Sequence, residues 1–214
     1  MIILDMGSAE TCKNDIAYVH RMIDELAAVD TMRQRIVIKW QLFTSVPSGV
    51  PPLKREVFEE ASWYAYMKGY QTTASVFDDL SLDYLLTWDI EPVFVKIAAR
   101  PNLYHLIDDI PETVPVAVSV PDMLHREELW ENYGRRKGRL IILHCVPEYP
   151  ADPTVYETRY GHNLSYSISD HTPGLYLYNK YQPWYYERHF KLQDSTGADA
   201  GEFASTPDEL RSIL

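Results

Sequence analysis

Short apolar runs rich in β-branched residues recur about every 20 to 35 residues along the chain, separated by polar or helix-patterned stretches. Eight such runs begin near Ile2, Ile36, Gln71, Val93, Val116, Leu140, Leu164 and Trp184. Between the first five, the spacing of apolar residues predicts helices over 14–28, 53–68, 80–88 and 102–110, with Pro121-Asp122 opening another. After the sixth and seventh runs the helical signal fades. Alternation of this kind builds a parallel sheet, and eight repeats predict an α/β fold: a compact (β/α)8 TIM barrel with shortened helices in its second half. Barrels of this type usually take ~250 residues, so a chain of 214 has little to spare. No linker or shift in composition divides it, and residues 1–214 read as one domain. The aromatic stretch 176–186 reads as packing that covers a missing helix, in preference to a sugar-stacking platform. Residues 195–201 form a flexible segment after the last strand, on the side where barrels carry catalytic loops.

Strand side chains alternate between two faces, so parity sorts these runs into barrel interior and exterior. Lys39 and Gln41 share one face, while Ile36, Ile38 and Trp40 take the face that meets the helices. Lys39 therefore points inward. Lys96 goes with Phe94, Ser169 with His171, and His189 with Glu187 and Tyr185. Most runs end in polar groups expected inside the barrel: Asp5, Lys39, Gln41, Ser75, Lys96, Ser119, His144, Ser169, His171, Glu187 and His189. Taken singly, a strand lysine reads as a structural ion pair and a strand histidine as a hydrogen-bonded core residue. Unpaired charge inside a barrel is costly, so their convergence at one end calls for partners, ligands or water. Two lysines suit a small anion with phosphate and carboxylate groups. His171 and His189, on neighbouring strands, have the placement to share one divalent ion. Cys145 beside His144 is poorly placed for proton transfer, because adjacent strand residues face opposite ways.

Composition narrows the choice of partner. A hydrophobic content of 46% supports a sizeable core, and 20 basic against 31 acidic residues gives a net charge of −11. That charge repels nucleic-acid backbones and anionic lipid, so neither is an expected partner. Two cysteines, Cys12 and Cys145, make neither a disulfide framework nor a zinc pattern. No basic leader and no long apolar run is present, and the expected location is the cytoplasm. Gly-rich phosphate loops, nucleophile elbows and His-Glu-x-x-His helices are missing from the sequence.

The segments LHCVPEYP (143–150), SISDHTPG (167–174), ERHF (187–190) and ASTPDEL (204–210) follow one another as in the sialic acid synthases. These are the N-acetylneuraminate synthase, or NeuB-like, group of phosphoenolpyruvate-condensing barrels. IKWQ (38–41), SVFD (75–78), VKIA (95–98) and PVAVS (115–119) look like the earlier strands of the same group. The resemblance runs through essentially the whole chain. It implies a barrel in which phosphoenolpyruvate adds through its methylene carbon to the aldehyde of an N-acetylmannosamine-like sugar. Water then attacks the cationic centre, and phosphate leaves with C–O cleavage. It also implies a Mn2+ or Mg2+ ion held by His171 and His189, orienting the aldehyde oxygen and the water. By motif, Lys39 and Lys96 hold phosphoenolpyruvate, with Ser75, Ser119 and Ser169 as hydroxyl donors. Asp5 stands where the family has a first-strand glutamate. Gln41, Phe77 and Tyr149 match positions near the substrates, and Asp199 matches an acidic sugar contact in the last loop.

The departures from that pattern are informative. After the fourth-strand lysine the family usually continues Ile-Gly-Ser-Gly-Glu, whereas this chain reads Ile97-Ala98-Ala99-Arg100-Pro101. A hydroxyl and a carboxylate are lost, and Arg100 is expected to supply a charge-assisted anion contact in their place. Ser8-Ala9-Glu10-Thr11 replaces an Asn-His-Asn-Gly type of loop, and Pro147 replaces a hydrogen-bonding side chain. The sequence ends at Leu214, before the family's usual C-terminal antifreeze-like domain. Two other readings stay open: an aldolase- or lyase-type barrel acting on another phosphorylated or carboxylated molecule, and a non-catalytic ligand-binding relative.

Overall fold

The computed structural model describes residues 1–31, 35–44, 49–136 and 139–214. Eight parallel strands carry the architecture: β1 (Ile2–Asp5), β2 (Ile36–Leu42), β3 (Gln71–Val76), β4 (Val95–Ile97), β5 (Val116–Val120), β6 (Leu140–Cys145), β7 (Ser167–Asp170) and β8 (Tyr185–Phe190). Each pairs with the next, and β1 also pairs with β8, which closes the barrel. A ninth strand, β9 (Ala204–Ser205), pairs with β8 at His189 and Phe190 and was not foreseen in the sequence. Two residues are too short to show a period. The fourth strand starts at Val95 and not Val93, and the seventh at Ser167 and not Leu164, which lies in a 3-10 turn over Gly161–Ser165.

Helices wrap the outside because their apolar residues fall on one face. In α1 (Ile16–Val29), Val19, Met22, Ile23 and Leu26 are fully buried, and Asp15 caps the start by accepting from the Tyr18 amide. The helices α2 (Arg55–Met67), α3 (Asp79–Thr87) and α4 (Met123–Tyr133) follow, and a 3-10 helix over Pro101–Asp109 replaces an α-helix after β4. Short helices also form where the sequence signal faded. In α5 (Pro153–Tyr160), Asp152 accepts from the Thr154 amide and Pro153 takes the first position, a start signal of two residues that compensates for weak amphipathicity. The aromatic stretch contributes α6 (Tyr176–Tyr181), where Leu177 is buried and Tyr178 packs on Tyr186, as expected of barrel packing. The chain closes with α7 (Pro207–Leu210).

Inside the barrel, Ile3, Val37, Phe94, Ala117 and Leu143 form a separate apolar layer, with Met1, Val93, Ile141 and Tyr185 beneath it. One step further along β1, β2, β4, β5 and β8 the inward residue becomes polar: Asp5, Lys39, Lys96, Ser119 and Glu187. The apolar plug thus forms the floor on which the polar end stands, and it shuts water out from below. Phe94→Ala is expected to lower unfolding free energy by about 3–5 kcal/mol in urea titrations. A loss below about 1 kcal/mol would mean that this layer is not packed.

Candidate active site

Register brings the inward polar groups to one level. Asp5 lies opposite Lys39 and His189, Ser75 opposite Gln41 and Lys96, and Ser169 opposite Glu187. They open into a cavity of about 420 Å3 at the C-terminal end of the strands. All thirteen residues expected at a site line it: Asp5, Lys39, Gln41, Ser75, Phe77, Lys96, Arg100, Ser119, Tyr149, Ser169, His171, His189 and Asp199. Glu187, whose inward direction parity gave without assigning it a role, sits among them.

Two carboxylates and two ammonium groups form the base of the cavity. Lys39 Nζ lies 2.6 Å from Asp5 Oδ2 and 3.1 Å from Glu187 Oε1, and donates to Ser75 Oγ at 2.8 Å. Lys96 Nζ lies 3.4 Å from Glu187 Oε2 and donates to Ser119 Oγ at 2.8 Å and to the Ile97 carbonyl at 3.0 Å. Burial alone would raise the pKa of Glu187, but the two lysines outweigh it and hold the carboxyl well below its usual range. Burial likewise opposes ionisation of Asp5, and Lys39 overcomes it. The two lysines separate: burial would lower both, yet Asp5 and Glu187 raise Lys39 above its ordinary value, while Lys96, with Glu187 as its main support, stays below it.

The histidines occupy the opposite wall. His171 Nδ1 faces the Val146 carbonyl at 2.9 Å, and a carbonyl only accepts, so Nδ1 carries the proton and Nε2 keeps a free lone pair. Burial, aided by His189, pulls the His171 pKa down to about 3, which keeps the ring neutral. The two imidazole rings are 5.4 Å apart, Tyr149 stacks on His171 at 4.1 Å, and Phe203 packs against His189 at 5.1 Å. His189 Nδ1 is buried without a hydrogen-bond partner, 3.7 Å from Asp199 Oδ1. A neutral imidazole with a bare nitrogen and a second ring with an orphaned one suit a borderline divalent ion. Asp5 Oδ2 lies 3.8 Å from His189 Nε2, but among the described residues no group of three or more His, Cys, Asp and Glu is arranged to hold a metal ion, so substrate and water would complete such a centre.

Loops add the rim. Gly7 takes a φ of +83°, where a side chain would be strained. Its amide donates to Asp5 Oδ1 and that of Ser8 to Asp199 Oδ2, both at 2.9 Å. Gln41 Nε2 donates to both Asp5 Oδ2 and Asp199 Oδ1. On the outside of β7 and β8, the buried Arg188 donates to the Thr172 carbonyl and to Ser205 Oγ and lies 3.5 Å from Asp170 Oδ2, which ties together the segments carrying His171 and His189.

One expectation is overturned. His144 does not face the cavity: its ring packs on Tyr160 at 4.8 Å and its Nδ1 meets the Ser167 carbonyl, because Leu143 and Cys145 take the inward positions of β6. Cys145 Sγ instead lies 3.8 Å from His171 Nδ1, and burial pushes its thiol up to about 12, far from a reactive thiolate. Ser8, Phe43, Val50 and Ala198 also line the cavity; the first three come from loops and Ala198 from a three-residue 3-10 turn, where no periodicity marks direction.

The model of the NeuB family matches residues 51–214 of the sequence. The chain belongs to the NeuB family. Solved structures agree in fold. The N-acetylneuraminic acid (sialic acid) synthetase of Leptospira borgpetersenii serovar Hardjo-bovis, solved with citrate, aligns over 99% of this chain and 80% of its own with a TM-score of 0.73 and 23% identity. The putative spore coat polysaccharide biosynthesis protein E of Chromobacterium violaceum covers 99% and 71%, with a TM-score of 0.78 and 16% identity. The corresponding SpsE protein of Bacillus subtilis covers 99% and 65%, at 0.75 and 22%. No curated protein matches by sequence. No helix among its described residues is long and apolar enough to cross a membrane.

Burial lowers the His144 pKa from its usual value to about 4. Between about pH 6.5 and 4 the unfolded imidazole binds a proton that the folded one does not, so stability falls as pH falls, by up to about 1.4 kcal/mol per pH unit. His144→Gln is expected to flatten the pH dependence of the urea midpoint in that window. An unchanged slope would place the acid sensitivity elsewhere.

Proposed function

We propose that the protein is a cytoplasmic, divalent-metal-dependent synthase. It joins phosphoenolpyruvate to the aldehyde of an N-acetylated amino sugar and releases phosphate and a sialic-acid-type 2-keto acid. The observation that carries this reading is the meeting of Lys39, Lys96, Glu187, His171 and His189 in one cavity of a NeuB-family barrel. Lys39 and Lys96 bind the carboxylate and phosphate of the donor, whose oxygens take places now filled by Glu187 and the serine hydroxyls. Ser75, Ser119 and Ser169 donate to the same oxygens. The methylene carbon of the donor bonds to the aldehyde carbon, whose oxygen takes up a proton. Water adds at the neighbouring carbon and gives up a proton; the C–O bond to phosphate then breaks with its electron pair going to the phosphate, the remaining hydroxyl proton passes to the departing phosphate, and the ketone forms. Asp5, kept ionised by Lys39, is the group positioned to accept the proton given up by water. Gln41 and Asp199 face the sugar hydroxyls. His171 and His189 would hold Mn2+ or Mg2+, which when bound supplies Lewis-acid polarisation of the aldehyde oxygen.

The loss of a hydroxyl at Ala99, which lines the cavity, and of a carboxylate at Pro101 favours a second reading: aldolase- or lyase-type chemistry on another anion. Phosphate release separates the two. The first reading expects release from phosphoenolpyruvate only when an aldehyde sugar and a divalent ion are both present. Release without the aldehyde, or none with any N-acetylated hexosamine, would overturn it. His171→Ala and His189→Ala are expected to weaken Mn2+ binding by about 100-fold or more in calorimetry while circular dichroism stays unchanged. Full metal occupancy in both variants would remove the metal assignment. Lys39→Met and Lys96→Met are expected to weaken phosphoenolpyruvate binding by about 10- to 100-fold. Wild-type binding is also expected to fade at high pH below the ordinary lysine range, because Lys96 loses its proton early.

A further inference from the structure

The cations lining the cavity are not equally free. Lys39 has three oxygens around its ammonium, from Asp5, Ser75 and Glu187, and Lys96 has three, from Ser119, Ile97 and Glu187. An ammonium has three N–H donors: Lys39 spends two on Asp5 and Ser75, Lys96 spends two on Ser119 and the Ile97 carbonyl, and Glu187 faces both as an ion pair. An anion reaching them competes with Glu187. Asp5 and Glu187 also cancel the charge of the two lysines, and Asp199 leaves the cavity wall one charge negative before Arg100 is counted.

Arg100 is the exception. It lines the same cavity, is exposed, and among the described residues its guanidinium has no carboxylate, carbonyl or hydroxyl partner. Its one recorded neighbour is the Phe77 ring, 5.2 Å from the guanidinium carbon, and Phe77 in turn packs edge-on against Phe43 at 5.9 Å. The backbone beneath is tightly turned: the Arg100 amide bonds the Ala98 carbonyl at 2.7 Å, and Leu103 bonds the Arg100 carbonyl at 2.8 Å as the 3-10 helix begins at Pro101. Ala98 and Ala99 contribute no competing side-chain acceptor. An aromatic face supports a guanidinium without consuming its donors, so the planar fork stays available.

We propose that Arg100, mounted on Phe77 at the mouth, is the entry contact for a phosphate monoester, received there before the ion-paired lysines exchange Glu187 for the ligand. This rests on the synthase reading only for the identity of the ester. A phosphate monoester is a dianion with three equivalent oxygens, which the fork engages bidentately. In a protein of net charge −11, one unpaired cation at the mouth is also what draws such an anion in, more effectively at low salt.

The test is calorimetry of wild type, Arg100→Ala and Arg100→Lys with inorganic phosphate, phosphoenolpyruvate and a phosphorylated N-acetylhexosamine, with circular dichroism and Mn2+ titration as controls for folding. Arg100→Ala is expected to lose about tenfold or more in affinity for at least one phosphate compound, with Arg100→Lys recovering part of it. A loss for phosphoenolpyruvate identifies the donor's phosphate as the guest; a loss confined to the sugar phosphate identifies the acceptor's. Phosphate binding that depends on Arg100 while phosphoenolpyruvate fails to bind keeps the subsite and removes the synthase reading. Equal affinity of wild type and Arg100→Ala for every phosphate compound, or no phosphate binding by wild type, overturns the proposal.

Discussion

Glu187 bridges two buried lysines, and the organisation of the barrel's open end depends on that bridge. Its two oxygens lie 3.1 Å from Lys39 and 3.4 Å from Lys96, so one carboxylate on β8 compensates cations on β2 and β4 across the interior. Without it, two ammonium groups would share a poorly hydrated space above an apolar plug, and each isolated charge would cost several kcal/mol. The bridge also sets the terms for any anionic guest, which replaces a partner already present. A site arranged this way is ordered before ligand arrives, and the exchange of one carboxylate for another group spares the lysines a large reorganisation.

The rest of the cavity divides by chemistry around that base. The β7–β8 wall carries the imidazoles of His171 and His189, covered by Tyr149 and Phe203, and the outward Asp170–Arg188 pair braces the strands that present them. Asp5 at the end of β1 and Asp199 in the turn before β9 are carboxylates that Gln41 and backbone amides hold in place. Above Lys96, the segment after β4 brings only Ala98, Ala99 and the Arg100 guanidinium to the cavity. Acid, imidazole and guanidinium therefore face the same volume from three directions, which suits a reaction between one anionic and one hydroxylated partner.

Much of this was legible in the sequence because a strand's period is two. Lys39, Lys96, Ser169 and His189 were placed inward by parity alone, and the register confirms their common level. Parity also contained the answer at β6, where Leu143 fixes Cys145 as the inward residue and sends His144 outward; treating polarity as a sign of inward direction gave the wrong neighbour. What stayed hidden had no period to reveal it. The two-residue β9 and the loop residue Ser8 owe their positions to tertiary pairing, and the helix after β6 is announced only by Asp152-Pro153.

In the free protein Glu187 holds the place between the two lysines that the anionic donor takes in the proposed reaction. Titration of metal-stripped wild type and Glu187→Gln with phosphoenolpyruvate addresses it directly. Removing the competing charge should tighten binding by about tenfold or more, as the base of the cavity becomes net positive. Unchanged or weaker affinity in a folded Glu187→Gln protein would contradict it.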